Sequence, residues 1–333
     1  MPLSYAVIFK THFWDAFTSR QLDRLQARVG NGDIFVAIDE THEPAPEIEH
    51  DRVVRVTSAG MSNLGLLPIA THDSIIWYNN DYPHYVAFSE NPFYDYYITI
   101  EYDAVVNTDL DHLIAALAEN GVDYLGFPIR KPPSEWPWYP MHHEIYGSDM
   151  LKFLCCFSIY SNRALKVLLA RRQAMGKDFS CGTLNFWPYC EAFIPNEIRN
   201  AGMRIDTLGH HGTTDYYDWW PPLHEDELSQ VSEQSFIHPV LEGTRYIRSL
   251  ANHEPSISNY FFRESAIRRK LARFSPSAVN PILMAAVKGR FRGKLQRTLE
   301  QIGLRPKWFE NAQSSSSRSD QHRSLSMKRR LRK

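Results

Sequence analysis

Short apolar runs separated by segments of helical period constrain this chain more than any other feature. Tyr5-Ala-Val-Ile-Phe9 is followed by a helical pattern through Phe17, Leu22, Leu25 and Val29, which Gly30-Asn31-Gly32 stops. Two more runs follow, Ile34-Phe-Val-Ala-Ile38 ending on Asp39, and Val53-Val-Arg-Val56 ending near Thr57-Ser58. This β-α-β-β rhythm predicts an α/β sheet of largely parallel strands. A polar and aromatic stretch from Thr71 to Tyr85 interrupts it, and a helix is expected across Tyr85 to Phe93 with Pro92 near its end. The run Tyr96-Tyr-Ile-Thr-Ile100 then resumes the strand pattern and delivers Glu101-Tyr102-Asp103.

The second half is less regular. A helix over Asp109 to Glu119, stopped by Asn120-Gly121, leads to a strand at Tyr124 to Phe127, and Lys131 to Pro140 reads as a proline-rich loop. A strand at Phe153 to Tyr160 precedes a helix at Asn162 to Met175, then a helix near Glu191 to Ala201 that Pro195 breaks early, and a strand at Arg204 to Thr207. Phe236-Ile-His238-Pro-Val240 follows, then basic amphipathic helices from about 264 to 301 and a Ser/Arg/Lys-rich tail from Ser314 that should be disordered. The expected organisation is one α/β domain over 1–245, a basic helical extension over 246–312 and a disordered basic tail over 313–333.

Composition narrows the function classes. The net charge of −1 hides an asymmetry, because the basic tail leaves the body before about residue 260 acidic, so global charge says nothing of a nucleic-acid partner, and none is expected. Met1 to Lys10 lacks a signal-peptide layout, and no apolar run approaches the roughly 18–20 residues of a membrane span. Cys155, Cys156, Cys181 and Cys190 lack zinc-finger or CxxC spacing and read as buried free thiols of a reducing cytoplasm. The adjacent pair sits in an apparent strand, so its side chains should face opposite ways. There is neither a GxGxxG nor a phosphate-binding P-loop. His142-His143-Glu144 and His210-His211 form neither HxxxH nor HExxH, and a loop or acceptor-pocket role fits them better than metal ligation.

Glu101-x-Asp103 carries the chemistry. Strand alternation would put both carboxylates on one side and Tyr102 on the other. They end an apolar strand, and α/β folds bind ligands beyond the carboxyl ends of their strands. Two carboxylates there repel unless a cation answers them, and Mg²⁺ or Mn²⁺ bridging substrate phosphates does so. Spacing alone also fits two solvated acids at an exposed strand end.

Ile98-Thr-Ile-Glu101-Tyr-Asp103, preceded by Asn91-Pro-Phe-Tyr-Asp-Tyr, resembles the acidic motif of GT-A glycosyltransferases, whose usual form is DxD and which has an ExD form in some branches. The wording is similar to a group of bacterial and fungal transferase-like proteins with a Tyr-rich lead-in to an E-x-D, over about residues 5–240. The resemblance implies a GT-A-like, Rossmann-like mixed sheet, mostly parallel and flanked by helices, followed here by a helical C-terminal extension. It implies transfer of a sugar, hexosyltransferase-like, from a nucleotide-diphosphate donor to a glycan or lipid-linked acceptor, as in bacterial surface polysaccharide synthesis.

Residue by residue, the resemblance makes Asp103 the metal ligand and Glu101 a donor contact, and the late His238 the remaining ligand of Mn²⁺ or Mg²⁺, although some members of the fold work without metal. The first βα turn, Thr11 and His12, would lie over the nucleotide, and Asp39 would hydrogen-bond its base or ribose. Thr11 could equally cap the following helix. Glu191 would be the base if the reaction inverts, with Asp206 in reserve, and either could instead be a helix-end or strand-end charge. Trp136 and Trp138, with Trp219 and Trp220, would form the acceptor side, or simply pack loops. The basic C-terminus suits an anionic membrane surface, which would make the enzyme cytoplasmic and peripheral on the inner face of the plasma membrane. The competing classes are a metal-dependent nucleotidyltransferase or hydrolase using the same carboxylates, and a binding protein with a decayed site.

Overall fold

The first strand shows why this sequence makes a two-sided sheet. β1 (Tyr5–Thr11) is buried along its whole length, on both faces, which a strand without polar alternation requires. It pairs in parallel with β2 (Asp33–Asp39) on one side and β4 (Tyr96–Glu101) on the other, and β3 (Val53–Val56) extends the sheet beyond β2. The computed structural model describes residues 3–67 and 79–301. The Thr71–Ser74 and Trp77-Tyr78 stretch and the basic tail over 313–333 lie outside the described residues.

Among the described residues the main sheet has seven strands. Beyond β4 come β7 (Phe153–Ser161), β6 (Tyr124–Pro128) and β8 (Ile205–Thr207), giving the order β3-β2-β1-β4-β7-β6-β8. β7 runs antiparallel to both its neighbours, and the other six strands share one direction. The sheet is therefore mixed and mostly parallel, as expected from the sequence.

Each face carries its own core. One face buries Leu22 and Leu25 of α1 (Ala16–Gln26) and Leu113, Ile114 and Leu117 of α4 (Leu110–Glu119) against Val7, Val36 and Ile98. The other buries Met61 of α2 (Ser58–Asn63) and Tyr85 of α3 (Tyr82–Glu90). It also takes Leu165 of α6 (Asn162–Ser180) and Phe193 of α7 (Cys190–Asn200). Asp15 caps α1 in a reciprocal capping box with Thr18, so Thr11 is not the cap. α4 and α7 end where the sequence placed their stops, at Gly121 (φ 61°) and Gly202 (φ 68°), both in the left-handed region that glycine occupies without penalty.

Several local expectations are corrected. Pro195 lies inside α7 without ending it. The proline-rich segment is not a plain loop: residues 133–135 form a 3-10 turn, and α5 (Tyr139–Tyr146) begins within it. His142 and His143 therefore lie on a helix. Cys181 is exposed, whereas Cys155, Cys156 and Cys190 are buried, and all four are free.

A small three-stranded sheet carries the late part of the domain: β5 (Val105–Val106), β9 (Thr213–Tyr217) and β11 (Ser235–His238), in the order β5-β11-β9. β10 (Leu223–His224) pairs with β12 (Val240–Leu241) beside it. Glu225, just after β10, takes Arg20 at 2.9 Å and Arg24 at 2.6 Å from α1. α8 (Gly243–His253) closes a first compact unit, Met1–His253. The second unit begins at Glu254 and contains α9 (Ala266–Leu271) and α10 (Pro276–Gln301). No helix of the described residues is long and apolar enough to cross a membrane.

Candidate functional site at the carboxyl edge of the sheet

The parallel register of β1 and β4 sets Lys10 beside Glu101 at the carboxyl end of both strands. Lys10 is fully buried, an unusual place for an ammonium unless it is paired. Its Nζ lies 3.8 Å from Glu101 Oε1 and hydrogen-bonds the Asn80 side-chain carbonyl, while the Asn80 amide donates to the same Glu101 oxygen. Asn80 thus bridges cation and carboxylate.

Asp103 does not reach the site by strand alternation. β4 ends at Glu101, and the chain turns, with Tyr102 N–H donating to Lys10 O at 3.0 Å and Ala104 N–H to Glu101 O at 2.9 Å. The turn sends Tyr102 against the rings of Phe13 and His12, at 4.7 and 5.5 Å between centroids. Asp103 is then fixed by the small sheet. β5 pairs antiparallel with β11, Val105 opposite Ile237, and Val240 N–H donates to Asp103 O at 2.7 Å. That pairing draws His238 in from the far end of the domain and leaves its Nε2 3.7 Å from Asp103 Oδ1.

The protonation of His238 follows from its other nitrogen. Nδ1 lies 2.7 Å from the Asp218 carbonyl oxygen, which can only accept, so Nδ1 carries the proton. In the neutral ring Nε2 is then a lone pair facing Asp103 Oδ1, which is itself buried without a hydrogen-bond partner. Burial pushes the Asp103 carboxyl up to about 6, with His238 pulling it down and Glu101 pushing it further up. Two acceptors facing each other in a buried place fit a proton or a cation between them. Glu101, Cys156 and His238 each bring a ligand atom within 4.8 Å of the others. The donor set therefore fits a divalent cation.

The other strand ends hold residues of different freedom. Thr11 is buried and its hydroxyl donates to Phe13 O at 2.6 Å, shaping the loop that carries exposed His12. Asp39 ends β2 and accepts from Thr41 N–H at 2.9 Å and from its hydroxyl at 2.7 Å.

Glu191 stands in the first turn of α7, where a helix N-terminus favours its charge. Burial overrides this and pushes its carboxyl up to about 7, with Glu101 and Asp81 adding like-signed charge. Asp206, by contrast, is held between His210 Nδ1 at 2.5 Å and His211 Nε2 at 2.9 Å. Burial alone would raise its carboxyl, and the hydrogen bonds from His211 and His210 outweigh that and lower it.

The tryptophans fall into two groups. Trp136 is buried on His142 at 4.8 Å, and Trp138 leans on Tyr189 at 5.1 Å, just before α7. His142 is fully used: Nδ1 donates to Trp138 O at 2.8 Å, and Nε2 accepts from Tyr189 N–H at 2.9 Å. Burial holds it neutral, down to about 4. Trp219 is 55% exposed, directly after Asp218, whose carbonyl holds His238.

Sequence reasoning gave no site role to Asn80, Asp81 or Arg172, read Cys156 only as a buried thiol, and placed Lys10 only at the end of the first strand. Lys10 did leave a signal, a charge closing an otherwise apolar strand. The Asp81–Arg172 ion pair, 2.6 Å and fully buried, left none, because its partners lie far apart in sequence.

The mixed, mostly parallel sheet flanked by helices is the architecture the resemblance implied. Among solved structures the chain is similar to an active-site mutant of LgtC (9% identity, 67% of this chain and 76% of that chain, TM-score 0.39). It is also similar to mouse xyloside xylosyltransferase 1 in its apo form (10% identity, 71% and 97%, TM-score 0.41). A third is galactosyltransferase LgtC in complex with donor and acceptor sugar analogues (9% identity, 69% and 79%, TM-score 0.40). No protein-family profile matches the chain, and no curated protein matches it in sequence.

Proposed function

We propose that this chain is a glycosyltransferase that moves a sugar from a nucleotide-diphosphate donor to a hydroxyl acceptor. The observation that carries the reading is the buried pair of facing acceptors, Asp103 Oδ1 and His238 Nε2, next to Glu101 at the carboxyl edge of the sheet. Asp103 and His238 would hold a divalent cation, Mn²⁺ or Mg²⁺ in the GT-A resemblance, with Glu101 as a donor contact. Bound there, such a cation neutralises charge on a leaving diphosphate. Thr11, His12 and Asp39, at the ends of the two neighbouring strands, would line the nucleotide. Lys10 Nζ, 3.8 Å from Glu101 Oε1, sets a positive charge behind that carboxylate.

Glu191 is the base we assign if the reaction inverts. A carboxyl pushed up to about 7 is close to half ionised at neutral pH and can take a proton from an acceptor hydroxyl. Asp206 is less suited, since both its oxygens are occupied by histidines. Trp219 and Trp220 offer a sugar-stacking surface beside the His238 anchor, and Trp136 and Trp138 one beside α7. The wider role we infer is bacterial surface or extracellular glycan synthesis on a glycan or lipid-linked acceptor. α10 exposes Phe291 and Leu295 among Lys288, Arg292 and Lys294, which suits a peripheral stance on an anionic membrane surface.

The test is a screen of nucleotide-sugars for thermal stabilisation with and without Mn²⁺. A donor present at about 100 times its Kd adds roughly 2.7 kcal/mol to the folded state. Product analysis should then find a free nucleoside diphosphate and a glycosylated acceptor. Released pyrophosphate or nucleoside monophosphate would instead favour a nucleotidyltransferase or hydrolase. If no nucleotide-sugar or nucleoside diphosphate raises the melting temperature, the transferase reading fails.

A further inference from the structure

Cys156 has no part in the reading above, yet its surroundings are not those of an ordinary core thiol. Its Sγ, a Glu101 carboxylate oxygen and a His238 ring nitrogen all lie within 4.8 Å of one another. Cys156 and His238 are each more than nine-tenths buried, so the cluster is not a solvated acidic patch. The His238 nitrogen free to serve is Nε2, since Nδ1 is committed to the Asp218 carbonyl. Asp103 Oδ1, buried and without a hydrogen-bond partner, faces the same nitrogen.

The local backbone explains how the sulphur comes to be there. β7 pairs with β6 through Leu125 opposite Ile159 and then Phe127 opposite Leu154, a slip that marks an irregularity between them. Such bulges re-aim side chains beside functional sites. Here Cys155 joins the core on one face of the sheet and Cys156 the core on the other, with Phe157 on the same side as Cys156. A strictly alternating strand would not put Cys156 and Phe157 on one side.

The donor chemistry decides which cation suits the place. Mg²⁺ takes oxygen ligands in near-ideal octahedral geometry and has little use for sulphur or imidazole. One thiolate, one imidazole and carboxylate oxygens form the mixed set that Zn²⁺ and Co²⁺ prefer. Ligand atoms around such an ion at ~2.0–2.3 Å stand about 3.3–3.8 Å apart. From within 4.8 Å of one another, the ligand atoms would close by about 1 Å on binding such an ion.

We propose that Cys156 is a ligand of the site's cation, together with Glu101 and His238 and with Asp103 as the fourth donor, and that the site takes Zn²⁺ or Co²⁺ in preference to Mg²⁺. The proposal rests on the cation part of the glycosyltransferase reading, and it replaces Mg²⁺ there and moves Glu101 from donor contact to metal ligand. On binding, the S–H bond breaks, the sulphur lone pair forms the bond to the metal, and the proton leaves to solvent.

The experiment is optical titration of the full chain with Co²⁺ in a Cys181→Ser background, which removes the exposed thiol. The expected spectrum has visible d–d bands of bound Co²⁺ and a near-ultraviolet sulphur-to-cobalt charge-transfer band. Cys156→Ser should remove the charge-transfer band and weaken Co²⁺ and Zn²⁺ binding by about 10-fold or more, with Mg²⁺ binding little changed. Cys156→Ala, checked for an unchanged circular dichroism spectrum, guards against a folding defect. d–d bands without charge transfer, or a charge-transfer band that survives in Cys156→Ser, would overturn the thiol ligand while leaving the cation reading standing. Absence of any Co²⁺, Zn²⁺ or Mn²⁺ binding that Asp103→Ala diminishes would overturn both.

Discussion

His238 and Asp103, separated by more than half of the domain in sequence, face each other with Nε2 3.7 Å from Oδ1 and no hydrogen between them when the ring is neutral and the carboxyl ionised. The antiparallel pairing of β5 with β11 creates this opposition, and the Asp218 carbonyl fixes its polarity. A pair of that kind costs stability in the free protein and returns it when a cation binds.

Asp103→Asn therefore separates stability from binding. The variant removes a buried carboxyl that burial pushes up to about 6, so its melting temperature without metal should equal or exceed that of the parent. Its stabilisation by metal and nucleotide-sugar, roughly 2.7 kcal/mol at about 100 times Kd in the parent, should vanish. Differential scanning fluorimetry with and without Mn²⁺ reads both effects.

Glu191 gives the fold a pH signature of its own. Its carboxyl is pushed up from 4.5 to about 7, chiefly by burial, so between these values the folded chain keeps a proton that the unfolded chain has lost. Stability contributed by this group is full below about 4.5, falls as pH rises to about 7, and is level above. The drop is at most about 3 kcal/mol, less to the extent that solvent reaches the group. Glu191→Gln should flatten that slope in melts between pH 5 and 8. It should also lower kcat by about 10²–10⁴-fold if Glu191 is the base. An unchanged kcat with a flattened melt would leave Glu191 a half-buried acid and nothing more.

Asp206→Asn should leave kcat within a few-fold of the parent. Both carboxylate oxygens are already engaged by His210 and His211, and the substitution loosens that clasp without emptying the site. A loss comparable to that of Glu191→Gln would make Asp206 the base instead.

Arg172 and Asp81 form a fully buried pair, and Asp81 directly follows Asn80 of the Lys10–Glu101 bridge in sequence. Arg172→Met should destabilise the domain by about 3–5 kcal/mol, because it leaves Asp81 as an uncompensated buried charge. Combining it with Asp81→Leu should recover most of the loss. Urea unfolding of the two singles and the double closes the cycle.

Trp219→Ala should raise the acceptor KM by about 2- to 12-fold, the equivalent of ~0.5–1.5 kcal/mol of stacking, with the melting temperature unchanged. The side chain is more than half exposed, so packing loses little. Steady-state kinetics against acceptor concentration decide it, and an unchanged KM removes Trp219 from the acceptor side.

Much of the architecture was legible along the chain. The apolar runs at 5–9, 34–38 and 96–100 became β1, β2 and β4 because strands covered on both faces cannot alternate polar and apolar residues, and the run at 53–56 became the edge strand β3, which leaves Arg55 exposed. The stops at Gly121 and Gly202 were legible because only glycine takes a left-handed backbone cheaply. Less local features were read less well. The proline segment hid a 3-10 turn and the start of α5, since proline at a helix start resembles proline in a loop. Pro195 was read as a break, although packing of α7 against the sheet retains the helix around it.

The sequence by itself determined that Glu101 ends a buried strand and that an acid follows two residues later. It did not determine that a turn sets the second acid after the first, because strand alternation predicted the same juxtaposition for the wrong reason. Only the tertiary structure decided the company they keep: Lys10 through the β1–β4 register, His238 through β5–β11, and Cys156 through a slipped ladder in β7. Such pairings depend on which strands meet and in what register. That is settled by burial of whole faces of the sheet, and not by any residue's neighbours in the chain.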